Sequence, residues 1–213
     1  MREILLMIPA VLIVITLHEL AHGFAAYLLG DDTARNRGRL TFNPIAHIDI
    51  WGFLCMLVAG IGWAKPVPVS PYKFKIKNKK IGMAITALAG PFANLLIAFV
   101  FLFIRTLLVI YGYDRPILLG MATFMELTAI MSVGLMAFNL IPIPPLDGSK
   151  ILLPFLPGKV LDFFYKYERY ISIGFLVLLM LDLLDRIIDS VVGWILGILI
   201  DLIIKIIIGV GLI

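Results

Sequence analysis

A single cysteine, Cys55, stands in the 213 residues, so no intrachain disulfide can form and redox compartment leaves no mark on the sequence. Charge is scarce: only 15% of the residues are Asp, Glu, Lys or Arg. There is no internal repeat and no low-complexity tract, which excludes a repeat array. The N-terminal apolar run has no small-residue cleavage site and outlasts a signal-peptide core, so it reads as a retained helix. What fills the chain instead is apolar: 62% of the residues are hydrophobic, and the mean hydropathy is +1.06. A soluble domain holds nearer half. The net charge of +4 is the kind that basic cytoplasmic loops give a membrane protein, and it points to no nucleic-acid partner.

The apolar residues come in blocks, Ile4 to Leu29, Ile81 to Ile110, Ile117 to Ile141, Ile171 to Leu184 and Val191 to Ile213. About 20 helical residues cross the hydrocarbon layer, so the first three suffice. The fourth must borrow flanking residues, and the fifth, with Asp201 and Lys205 at a self-pairing i, i+4 spacing, spans or lies at the interface. The stretch "IWGFLCMLVAGIGW", 50 to 63, is too short to cross and reads as re-entrant or hairpin-like. The expected fold is an all-α polytopic membrane protein of about five to six transmembrane helices, with a short re-entrant or β-hairpin segment near residues 45–75. Nine Lys and Arg residues lie between 30 and 80, and four more between 150 and 169. Both stretches are therefore expected in the cytoplasm, with the N-terminus outside.

Three ionisable groups interrupt the first block, in "TLHELAHGFAAYLLG" (16–30). His18 lies about 21 Å along the helix from Ile4 and about 18 Å from Gly30, deep in the bilayer, where such groups are costly and mark function. His18 and His22 are one turn apart on one face and can share a divalent metal ion, while Glu19 stands beside them to act on a metal-bound water. The bland alternative is a hydrogen-bonded cluster inside a bundle. Two imidazoles leave a tetrahedral zinc site one protein ligand short. Asp147, in "FNLIPIPPLDGSKIL" (138–152), is the candidate third ligand, because three prolines there break the helix near the membrane. Alternatively, Asp147-Gly148 is simply a turn.

With these residues go "FNPIAHID" (42–49), "GWAKPVPVSPYKF" (62–74), "AGPFAN" (89–94) and "NLIPIPPLDG" (139–148). Together, over about residues 10 to 155, the chain resembles the site-2 protease family of intramembrane zinc metallopeptidases, in its compact prokaryotic branch without PDZ or CBS domains. The resemblance implies one zinc ion per chain held by His18, His22 and Asp147, with Glu19 as catalytic base and Asn139 contacting substrate. It also implies cleavage of peptide bonds within or near transmembrane helices of other proteins. Residues 1–155 would form the catalytic transmembrane core and 156–213 C-terminal transmembrane or interfacial helices. The metal site would open toward the cytoplasm. A membrane metal-binding or transport protein using the same ligands is the rival reading.

Asn139 or Asn94 is expected to offer an N–H to the oxyanion, or else to hydrogen-bond between helices. His47 is either an outer partner of the site or a loop histidine satisfied by backbone. Arg105 and Glu126 are expected to pair across neighbouring helices. In "AKPVPVSP" (64–71) the prolines force extended chain, and the N–H groups of Lys65, Val67 and Val69 share one edge. That edge could receive an unwound substrate, or the segment could be a rigid linker.

Overall fold

A computed structural model describes residues 2–52, 55, 62–112 and 114–211. Seven α-helices carry these residues: α1 (Arg2–Leu28), α2 (Thr33–Asn36), α3 (Lys79–Gly112), α4 (Pro116–Asn139), α5 (Asp147–Leu152), α6 (Gly158–Met180) and α7 (Asp185–Gly209). Short 3-10 turns sit at Pro44–Ala46, Pro71–Lys73 and Leu153–Phe155. The fold is all-α and polytopic. The only pairing resembling a hairpin among the described residues is one antiparallel bridge, Ile48 with Ala64. Most of the expected re-entrant stretch 50–63 lies outside the described residues.

Four of the described helices are long and apolar enough to cross a membrane: α1 from Leu5, α3, α4 and α7. Five to six were expected. The apolar block beginning at Ile171 occupies only the second half of α6, whose earlier turns carry Lys159, Asp162, Lys166, Glu168 and Arg169. Pro116 opens α4 in its first turn, where the missing N–H costs nothing.

Small residues let the spanning helices approach. Ala98 and Leu102 of α3, Ala129, Val133 and Met136 of α4, and Leu199, Ile203 and Ile207 of α7 form one buried cluster. Thus α7 closes over the α3–α4 pair. By contrast α6 is attached through a few contacts: Phe175 stacks obliquely on Phe138 at 5.8 Å, and the Ser172 hydroxyl donates to the Pro144 carbonyl at 3.1 Å. The expected ion pairs form, Arg105 with Glu126 and Lys205 with Asp201, each at 3.3 Å.

On the loop side, buried Asp31 accepts from the backbone and hydroxyl of Thr33 and from the backbone N–H of Ser70. This pins the extended 64–70 segment beside the end of α1. The Val67 N–H of that segment reaches Glu19 of α1.

Candidate metal centre

The convergence starts with helix periodicity. Four residues apart on α1, the His18 and His22 rings stand perpendicular to each other with centroids 4.6 Å apart. Their Nε2 atoms are 3.0 Å apart. Asp147, 129 positions beyond His18 in the sequence, brings Oδ2 to 3.2 Å from His18 Nε2 and 2.9 Å from His22 Nε2. All three residues are buried, and their ligand atoms lie within 4.8 Å of one another. Two imidazole nitrogens and a carboxylate oxygen directed at one point form a donor set suited to a divalent metal, leaving a tetrahedral position for water.

Two glycines make this approach feasible. A Cβ at Gly90 of α3 would run into both imidazole rings, so the glycine of "AGPFAN" is the gap that the rings fill. A Cβ at Gly148 would meet the backbone carbonyls of Leu140 and Ile141. The chain after α4 turns through residues 140–146 and re-enters helix at Asp147, so Asp147 is more than a turn former.

Burial alone would raise the Asp147 carboxyl; contacts from His18, His22 and Lys150 outweigh it and hold the group well below the usual carboxylate range. The Lys150 ammonium sits 3.2 Å from Asp147 Oδ1, opposite the oxygen that meets the imidazoles.

Glu19 is half-buried next to the pair, and its Oε2 accepts the Val67 backbone N–H at 2.9 Å. Lys65 N–H donates to the His47 carbonyl, also at 2.9 Å. Two of the three N–H groups expected on one open edge are therefore engaged within the chain. Arg39, which the sequence reading counted only as loop charge, is buried and donates to the Lys65 carbonyl. Burial lowers its guanidinium, and the Glu19 charge opposes that.

A cavity of about 950 Å³ joins these groups, lined among others by His18, Glu19, His47, Val67, Asn139 and Asp147. Asn139 donates one amide N–H to the Leu135 carbonyl at 3.0 Å. His47 is fully buried; its Nε2 meets the Thr41 carbonyl at 2.9 Å, while Nδ1 has no partner among the described residues. It is thus held by backbone, with one nitrogen uncommitted. Asn94 is fully buried and does not line the cavity; it lies against the outer nitrogen of His18, its Nδ2 3.1 Å from Nδ1. On the other ring, His22 Nδ1 lies 2.7 Å from the Thr86 carbonyl. Sequence reasoning missed Thr86, Gly90, Arg39 and Lys150. The quoted "AGPFAN" carried a signal for Gly90, but a backbone acceptor such as Thr86 leaves none.

Residues 106–181 match Peptidase family M50. A Bacillus subtilis protein named "Putative zinc metalloprotease YwhC" is 41% identical over 165 residues, covering 76% of this chain and 74% of that protein. The chain belongs to peptidase family M50. Other relatives bear the same type of name. Rip2 of Mycolicibacterium smegmatis is 29% identical over 71% of this chain, and MJ0611 of Methanocaldococcus jannaschii 34% over 48%. The chain spans 58% of that Rip2 and 49% of MJ0611. No solved structure matches the chain significantly.

Proposed function

We propose that this M50 protein is a zinc metalloprotease that hydrolyses peptide bonds within or near transmembrane segments of other membrane proteins. The single observation that carries the reading is the meeting of His18 Nε2, His22 Nε2 and Asp147 Oδ2 inside a bundle of membrane-length helices, with Glu19 alongside. The names of the relatives and the nitrogen–oxygen donor set both favour zinc. His18, His22 and Asp147 would hold it. Zinc bound there supplies Lewis-acid polarisation of a peptide carbonyl and a water whose pKa is lowered to about 7.

The chain's own residues do the rest. Glu19 takes a proton from the attacking water and returns it to the leaving amine. Its hydrogen bond to Val67 N–H fixes one carboxylate oxygen, leaving the other for that proton. Asn139 has a second amide N–H for the substrate carbonyl, with Leu135 holding the first. The apolar part of the cavity wall, such as Val11, Ile15 and Phe138, suits a segment arriving from lipid. The basic residues between 30 and 80 orient the cavity mouth toward the cytoplasm and the N-terminus outward.

The test is cleavage of a membrane-tethered substrate in reconstituted bilayers. Glu19→Gln should lower turnover by about 10²–10⁴-fold with one zinc per chain retained. Equal activity in Glu19→Gln and wild type would replace the protease by a metal-binding or transport protein.

A further inference from the structure

Each metal-ligating imidazole has an outer nitrogen, and the bond it makes decides which tautomer the ring adopts. For His22 the outer partner is the Thr86 carbonyl, which can only accept. His22 Nδ1 therefore carries the hydrogen, and Nε2 presents a lone pair. For His18 the outer partner is the Asn94 side chain, whose two ends have opposite chemistry. With Nδ2 toward the ring, His18 Nδ1 must accept and Nε2 carries the hydrogen. The cluster is then a closed hydrogen-bond network that offers no lone pair from His18. With Oδ1 toward the ring, Nδ1–H donates and the Nε2 lone pair joins those of His22 and Asp147. Among the described residues one buried amide atom lacks a protein partner in either orientation, Oδ1 in the first and Nδ2 in the second. The amide's own bonding does not decide; the ligand chemistry does.

We propose that Asn94 is the positioning residue for His18, its Oδ1 accepting the Nδ1–H and holding the Nε2 lone pair toward the metal. The inference rests on the metalloprotease reading above. Helices α1 and α3 run antiparallel here, so His18 meets Asn94 while His22 meets Thr86, and Gly90 lies between them under both rings. One helix thus supplies both outer acceptors and the gap. The Ser132 hydroxyl donates to the Asn94 backbone carbonyl at 2.8 Å, which ties this turn of α3 to α4. Asn94 touches neither the cavity wall nor the reacting atoms, which separates its role from that of Asn139.

The test is zinc affinity of the full-length chain in lipid nanodiscs, measured by competition with a chromogenic chelator. Asn94→Leu keeps the shape and removes the acceptor, and should weaken zinc binding about 10–100-fold, the range for lost outer partners. Asn94→Asp presents only acceptors and should bind zinc at least as tightly as wild type. Ser132→Ala disturbs only the backbone contact and should leave affinity unchanged. Asn94→Leu equal to wild type, or Asn94→Asp as weak as Asn94→Leu, overturns the inference. Should Asn94→Leu fail to accumulate, Asn94→Asp decides alone, and an affinity tenfold below wild type refutes the role. His18→Ala is the control that separates the two readings. Zinc bound in wild type and lost in His18→Ala, with no effect at Asn94, defeats only this inference. Wild type that binds no zinc defeats both.

Discussion

Two of the groups of ionisable residues carried by the spanning helices are built differently. Arg105 and Glu126 face each other across α3 and α4 with opposite charges, both partly exposed. Each group is what the other needs. The His18, His22 and Asp147 cluster is buried, and its three members aim their ligand atoms at one another, with the outer nitrogens of both rings already engaged elsewhere. Polar residues in a membrane need partners, but only the second arrangement needs one from outside the protein. Direction, more than depth, separates a structural pair from a metal centre.

The sharpest way to break this contrast is to remove a ligand. Asp147→Ala should cost at least about a hundredfold in zinc affinity, beyond the range of outer-partner losses, and bring turnover to background. Metal analysis and cleavage in the same nanodisc preparation check both. Gly90→Ala should come next. The added methyl presses on both imidazoles, an overpacking cost of about 1–3 kcal/mol, read as lower thermal stability of the zinc-loaded protein and reduced turnover. The smallest effect on the metal centre belongs to the other cluster. Glu126→Leu should destabilise by about 1.5–3 kcal/mol by leaving Arg105 without its charged partner. Adding Arg105→Met should recover most of that loss, and neither variant should change zinc content. A loss of zinc in the double variant would erase the distinction between the clusters.

Much of this was legible in the sequence because it is periodic. Helical spacing puts His18 and His22 on one face, hydrophobic blocks give α1, α3, α4 and α7, and opposite charges at matching depth anticipate Arg105–Glu126. Asp147 was legible because two imidazoles leave a zinc site one ligand short, and the motif resemblance pointed to the same residue. What stayed hidden depends on the third dimension. That Asn94 faces His18 follows from how α1 and α3 are registered. The N–H edge at residues 65–69 looked open because no local pattern shows that Glu19 and the His47 carbonyl would occupy it. At α6 an apolar half-helix continues a charged one, so that of the five to six spans expected, four stand out by length and composition among the described residues.

X-ray absorption at the zinc edge of the loaded wild-type protein interrogates the centre most directly. The expected spectrum has two imidazole nitrogens at about 2.0–2.1 Å and oxygen donors completing a four-coordinate shell, with no sulfur. A spectrum with no imidazole scattering, or one unchanged by Asp147→Ala, would contradict the site described here.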